Sequence, residues 1–306
     1  MYDFLIIGSG VSGLSAAMYA SRLNLKTAVF GDIPGGLITT THVVENWPGT
    51  LSISGPDLGM ALYEHAQKSG AEVKNEKVVE IAKKEGAETY VVKTASDEYE
   101  SKAILFSTGT KHRTLEAPGI KEYENKGVSY CALCDGGFYK EKIVSVVGGG
   151  DSAAKEAIFL AEHASKVYII VRKNVLRAEP RNQELIDKSD KIEIKYETEI
   201  AEVLPNEAGD KVGKVKFKSG EEIPMDGVFL AIGHIAQTEL AGGLGVELNE
   251  KGEIKINRHS ETNLPGVYAA GDCADTEFKQ AITGSGEAVT AAYYAFKYAQ
   301  GGGGNF

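Results

Sequence analysis

The sequence predicts an α/β fold built from two Rossmann-like nucleotide-binding domains, the second inserted into the first. Three observations carry that expectation. Two apolar runs each end in a glycine-rich turn that opens a small-residue helix: Gly8-Ser9-Gly10-Val11-Ser12-Gly13 and Gly148-Gly149-Gly150-Asp151-Ser152-Ala153. In both copies the carboxyl end of the next strand is reached 18 residues beyond the last motif position, where Gly31 follows one strand and Val171 closes the other. A further apolar run near the C-terminus ends in Gly271-Asp272 and returns the chain to its first nucleotide fold.

The first copy opens with Phe4-Leu5-Ile6-Ile7, a continuous apolar run suited to a strand buried on both faces of a parallel sheet. It feeds the G-x-G-x-x-G turn and a helix from Leu14 to Ala20, and a second strand follows at residues 26–30. Strand, glycine turn, helix and strand within about 30 residues make the motif a dinucleotide-binding signature. Gly8 permits the tight turn, Gly10 lets backbone approach a pyrophosphate, and Gly13 lets the helix pack on the strand. The helix N-terminus then offers unpaired N–H groups and its positive dipole end to the phosphates. Gly31 stands where an acid usually contacts the ribose, and Asp32 follows it.

The second copy has a strand at residues 143–147, a G-x-G-x-x-A turn, a helix to about His163 and a strand at residues 166–171. It ends in Val171-Arg172-Lys173, with Arg177 four residues further. An acid there would hydrogen-bond the 2′-hydroxyl of NAD, whereas cations favour the extra 2′-phosphate of NADP. Strands ending in Thr108-Gly109, in Ile232-Gly233 and in Gly271-Asp272 place small backbone groups and one carboxylate at a sheet's carboxyl edge, where ligands bind.

The chain has 306 residues, 42% hydrophobic and 25% charged, which suits two globular domains. Its net charge of −10 disfavours nucleic acid and anionic membrane as partners. No apolar run approaches the ~18 residues that would span a bilayer, and residues 1–8 carry no basic leader. A cytoplasmic location is therefore expected. Of three cysteines, two form Cys131-Ala132-Leu133-Cys134 and Cys273 stands alone. In a reducing compartment such a pair is redox-active or metal-binding. No second C-x-x-C or paired His supplies the remaining ligands of a zinc site, so a redox role is expected and no metal. Cys273 reads as a small buried residue and residues 301–304 as a tail.

Three features in order are specific enough to indicate a family: Glu45-Asn46-Trp47-Pro48-Gly49, Cys131-Ala-Leu-Cys134-Asp135-Gly136, and Gly271-Asp272 followed by Lys279-Gln280-Ala281. The chain resembles the low-molecular-weight thioredoxin reductase family of flavoproteins from Tyr2 to about Tyr298. The resemblance implies FAD in a discontinuous domain of residues 1–112 and 241–306, and NADPH in an inserted domain of residues 113–240 that also carries the C-x-x-C. By motif, the residues expected at FAD are Gly8, Gly10, Gly13, Gly35, Gly36, Asn46, Gly109, Asp272, Gln280 and Ala281. Ser152, Ala153, Arg172, Lys173 and Arg177 are expected at NADPH. Ser9, Val11, Gly31, Asp32, Leu37, Val78, Thr108, Gly148, Gly150, Asp151, Ile232, Gly233, Gly271 and Lys279 complete the expected cofactor contacts.

The resemblance also implies roles. Cys134 faces the flavin, Cys131 attacks the disulfide of thioredoxin or a similar small protein, and Asp135 handles the proton. The inserted domain is expected to rotate about two crossing strands, near residues 112–119 and 233–239, and the protein to be a homodimer. Leu37 replaces a usual Gln, Lys279 an Arg, Ala236-Gln237 a Pro-Asn pair, and Val171 and Lys173 the outer members of a His-Arg-Arg run. A branch of similar proteins draws electrons from ferredoxin, and the basic cluster at 172–177 is what separates NADPH from that donor. A flavin dithiol oxidase and a flavin redox sensor are the other readings of the same fold.

Overall fold

A computed structural model describes residues 1–41 and 43–301; residues 302–304 of the expected tail lie outside them. The chain forms two compact units, Met1–Lys111 with Ile235–Phe306, and His112–His234.

The first unit starts with β1 (Tyr2–Ile7), α1 (Val11–Arg22) and β2 (Thr27–Phe30). It continues through α2 (Gly55–Lys68), β3 (Glu72–Lys74), β4 (Val78–Lys83), β5 (Tyr90–Thr94), β6 (Glu98–Phe106) and β7 (Thr110–His112). The second holds β8 (Val128–Ser129), α3 (Ala132–Asp135), β9 (Ile143–Val147), α4 (Asp151–Ala161) and β10 (Lys166–Ile170). Then come α5 (Pro180–Asp187), β11 (Ile192–Lys195), β12 (Ile200–Pro205), β13 (Val212–Phe217), β14 (Glu222–Pro224) and β15 (Gly227–Leu230). After β16 (His234–Ala236) the chain completes the first unit with α6 (Glu239–Leu244), β17 (Val267–Ala269) and α7 (Ala281–Ala299).

In the first unit the parallel order is β3-β2-β1-β6-β17, and β4 and β5 extend the sheet antiparallel from the N-terminal half of β6. β6 is long enough for both jobs: residues 98–101 pair with β5 and residues 104–106 with β17. Phe4, Leu5 and Ile6 are fully buried, as a strand covered on both faces requires. One face packs on α1 and α7, largely through Ala16, Ala17, Ala20, Ala288, Ala291, Ala292 and Ala295. Such small side chains let the two helices approach closely, and Ser15 Oγ donates to Ser285 Oγ at 3.1 Å between them.

The second unit repeats the plan. Its parallel sheet runs β11-β10-β9-β15-β8, and β12-β13-β14 form a separate antiparallel sheet. In each unit the strand that leads into the glycine turn, β1 or β9, lies between strands wound in opposite directions, so the glycine turns fall at the sheets' topological switch points.

The chain passes between units at residues 111–112 and 234–235, on β7 and β16, which pair with each other. Residues 235–240, which the sequence assigned to the inserted domain, lie in the first unit. Gln237 explains this: its N donates to Gly109 O at 3.0 Å and its Nε2 to Thr108 O at 2.9 Å. Leu240, Ala241 and Leu244 then pack into the core formed with β4 and β5.

Gly13 is the tightest point of α1, since a Cβ there would lie 1.9 Å from Gly8 O. Gly13→Ala is expected to destabilise the protein by about 1–3 kcal/mol through overpacking, read as a lower denaturation midpoint; an unchanged midpoint contradicts this packing.

Candidate functional site

The two glycine turns separate what protein packing demands from what a ligand would demand. Gly8 has φ +113°, and a Cβ on it would strike Ser107 O at 2.2 Å, so the fold itself requires glycine there. Gly10 is different. Its backbone is extended (φ −73°, ψ −176°) and a Cβ would find nothing nearer than Gly35 O at 3.8 Å. Gly150 is likewise extended, with nothing within 4 Å. Glycines that the protein's own packing does not need, at the N-terminal turns of α1 and α4, fit close approach by a ligand to the backbone. Neither helix has a side-chain cap, so first-turn N–H groups remain for an anion.

Around the first turn the structure gathers distant residues. Gly35 N donates to Ser9 O at 2.8 Å, and Gly10 and Gly35 form a parallel bridge. Gly31 sits against Ser9, while Asp32 is exposed. Gly36 and Leu37 open a 3₁₀ turn, Gly36–Thr40. Asn46 Nδ2 donates to Gln280 Oε1 at 3.0 Å, joining two expected contacts 234 residues apart. Gln280 precedes Ala281 at the uncapped start of α7. Val78 starts β4 with its side chain in the core, which leaves only its backbone to meet a ligand.

Several hydrogen-bonded groups shape this site beyond the positions that the motifs mark. Glu287 Oε2 accepts from Gly271 N at 2.9 Å, and its Oε1 accepts from Thr276 Oγ1, so α7 holds the Gly271-Asp272 turn. Lys279 Nζ donates to Asp272 O at 2.7 Å and Ala274 O at 2.9 Å, and pairs with Glu253 Oε1 at 2.8 Å. Its charge is therefore committed to the turn. Burial works against ionisation of Glu253, yet Lys279 and Asn249 hold its carboxyl below the ordinary range. Gln237 braces Thr108-Gly109, and Thr108 Oγ1 donates back to Gln237 O. Of these, Lys279 and Thr108 were expected at the cofactor, whereas Glu253, Asn249 and Glu287 were missed; the signal available for Glu287 is that it is the sole acid of α7.

Around the second turn, a Cβ on Gly148 would lie 2.3 Å from Ala231 O, so no side chain fits there. Arg177 N donates to Gly149 O at 2.8 Å, and Gly150 and Arg177 form a parallel bridge. The structure thus lays the basic segment along the glycine turn. Arg172, Lys173 and Arg177 are exposed and form no ion pair among the described residues. Val171 packs inward against Gly149. Ser152 is exposed and Ala153 buried, and Ile232-Gly233 follow β15 with Gly233 O accepting from Arg113 N at 2.9 Å. Asp151 faces the protein: its Oδ1 accepts from Glu179 N at 2.9 Å and from Asn182 Nδ2 at 2.8 Å.

Cys131 and Cys134 form a disulfide, with Cα atoms 5.3 Å apart. Cys131 N donates to Ser129 Oγ at 3.1 Å as β8 ends. Cys131 Sγ caps α3, accepting from Cys134 N at 3.1 Å. Asp135 is the last residue of α3 and takes no part in that cap, and its side chain accepts no hydrogen bond among the described residues. The helix is wedged in place. A Cβ on Gly136 would come 3.0 Å from Phe159 of α4, and Tyr139 packs edge-on against Phe229 of β15 at 5.2 Å. The redox pair is thus seated on the helix that begins at the second glycine turn. Cys134 is exposed and Cys131 half-buried.

Cys273 is fully buried, its Sγ donating to Phe106 O and Ala270 O, and burial pushes its thiol up. No cluster of three or more His, Cys, Asp or Glu that could hold a metal occurs among the described residues, and no helix among them is long and apolar enough to cross a membrane.

Comparison with known proteins covers nearly the whole chain. The family model described as "Pyridine nucleotide-disulphide oxidoreductase" matches residues 2–291. The chain is 39% identical to thioredoxin reductase of Bacillus subtilis, over 98% of this chain and 95% of that protein. It is 37% identical to NADPH-dependent thioredoxin reductase 3 of Arabidopsis thaliana, over 97% of this chain and 58% of that protein. The crystal structure of Lactococcus lactis thioredoxin reductase superposes with a TM-score of 0.93 at 36% identity, covering 98% of this chain and all of that one.

Two outcomes follow from the buried groups. After reduction, a thiol reagent should modify Cys131 and Cys134 in the native protein and reach Cys273 only in denaturant; rapid modification of three thiols contradicts its burial. Glu156 on α4 has an unpartnered buried Oε2, and burial raises its carboxyl from 4.5 to about 7. The folded state therefore holds a proton that the unfolded chain releases, and stability falls as pH rises from 4.5 to about 7, by at most roughly 1.4 kcal/mol per unit. Glu156→Gln should flatten this slope and raise the melting temperature at pH 8; an unaltered slope contradicts the assignment.

Proposed function

Because the chain belongs to the pyridine nucleotide-disulphide oxidoreductases, and within them to the low-molecular-weight thioredoxin reductase family, we propose that it reduces thioredoxin or a thioredoxin-like protein with NADPH, through FAD and the Cys131–Cys134 disulfide. The observation that carries the reading is the redox disulfide packed on the helix that opens at the second glycine turn. When bound, FAD supplies a two-electron carrier between the nicotinamide and the disulfide. The first glycine turn and the start of α1 would hold its pyrophosphate. Asn46, the Gly271-Asp272 turn and the Gln280-Ala281 start of α7 would complete its site. The nucleotide would lie on the second turn, with Arg172, Lys173 and Arg177 available to its 2′-phosphate.

The chain's own chemistry is thiol–disulfide exchange. The reduced Cys131 thiolate attacks one sulfur of the partner's disulfide, forming a mixed disulfide and releasing the partner's other sulfur as a thiolate. The Cys134 thiolate then attacks Cys131 Sγ, restores the Cys131–Cys134 bond and releases the second partner thiolate. The N–H of Cys134, directed at Cys131 Sγ, is the kind of donor that favours a thiolate there. Asp135, one residue beyond Cys134 and with a carboxylate that accepts no hydrogen bond among the described residues, is the group for proton exchange with the leaving thiolates. Two protons are taken up as two partner thiols form. A homodimer in the cytoplasm belongs to the same proposal, and exposed Leu51 and Met60 on the first unit fit burial by a second copy.

Anaerobic titration of the yellow protein tests the donor. NADPH should bleach the flavin rapidly at concentrations where NADH does not; bleaching by reduced ferredoxin or dithionite, but by neither nucleotide, overturns the assignment. Cys134→Ser should retain nucleotide-driven bleaching while thioredoxin reduction falls at least about a thousandfold, as loss of a covalent catalyst commonly does.

A further inference from the structure

We infer that Asp151 is a positioning residue: it anchors the segment that carries Arg177 against the second glycine turn, setting recognition of a nucleotide 2′-phosphate without touching the nucleotide. This rests on the donor assignment above. A carboxylate in the first turn of a phosphate-facing helix poses an electrostatic problem, because it would repel the anion the helix attracts. The structure resolves it by giving both oxygens protein partners. Oδ1 accepts from Glu179 N at 2.9 Å and from Asn182 Nδ2 at 2.8 Å, and Oδ2 pairs with Lys155 Nζ at 2.9 Å. Asn182 is buried, so its amide has a fixed direction.

Glu179 lies two residues beyond Arg177, whose own N–H is bonded to Gly149 O at 2.8 Å. The basic segment is therefore fixed at two points. Its backbone is tied to the turn at Gly149, and its C-terminal end is tied to α4 through Asp151. On either side of Arg177, Leu176 and Ala178 are buried in the core, which turns Arg177 outward. Arginine recognises phosphate through directed paired hydrogen bonds, so a displaced backbone loses contacts that a flexible side chain cannot restore. Burial alone would favour a protonated Asp151, but Lys155, Glu179 and Asn182 outweigh it and hold the carboxyl below its ordinary range.

The test is calorimetric binding of adenosine 2′,5′-bisphosphate and adenosine 5′-monophosphate to the flavin-loaded enzyme. The unmutated enzyme should prefer the bisphosphate. Asp151→Ala should cut that preference about tenfold, the worth of one hydrogen bond to a charged group, mainly by weakening the bisphosphate. Asp151→Asn keeps an acceptor oxygen for Glu179 N and Asn182 Nδ2 and should retain most of the preference. Asn182→Ala, which breaks the same anchor from its other side, should lower it even if Asp151→Ala folds poorly. An undiminished preference in Asp151→Ala or Asn182→Ala overturns the inference, as does Asp151→Asn losing as much as Asp151→Ala. No preference in the unmutated enzyme overturns the donor assignment itself, and the inference with it.

Discussion

The first unit depends on one close approach between backbones. The turn at Gly8 lies against Ser107 at the end of β6, and Gly13 lies against Gly8 O, so β1, β6 and α1 meet with no room for a side chain. Apolar strands buried on both faces bring the elements together, and this contact fixes their register at the carboxyl edge. Once α1 is held there, its uncapped N-terminus and the open backbone at Gly10 face the same place. The outer parts of the site are then tied on: Gly35 to Ser9, Asn46 to Gln280, and Gly271 to Glu287.

The second unit uses the same device for a different end. Gly148 is held against Ala231, while α4 carries the second glycine turn at its N-terminus and the seat of the redox helix on its flank. One short helix thus joins the two chemistries the unit needs. Gly136 packs on Phe159, eight residues after Asp151. The N-terminal end of α4 organises the basic segment, and its middle positions Cys131 and Cys134.

The sequence was most legible where the physics is local. Buried parallel strands read as unbroken apolar runs at residues 4–7 and 143–147, and the glycine turns read from spacing alone. The C-x-x-C declared itself by composition. Long-range hydrogen bonds did not. Gln237 bracing Thr108 from 129 residues away leaves no periodic trace, and it moved residues 235–240 into the first unit. Lys279 and Asp151 read as ligand contacts because motifs mark position, whereas their partners Glu253, Glu179 and Asn182 are set by folding. The β4–β5 hairpin and the β12–β14 sheet were also silent, since short antiparallel strands with mixed faces carry weak patterns.

The proposed function requires that reducing equivalents from NADPH reach the Cys131–Cys134 bond. The most direct measurement is anaerobic alkylation of the flavin-loaded protein after one equivalent of NADPH, with the labelled cysteines located by mass spectrometry. Label is expected on Cys131 and Cys134, none on Cys273, and none at all when NADPH is withheld. A flavin that bleaches while Cys131 and Cys134 stay joined and unlabelled would contradict that requirement.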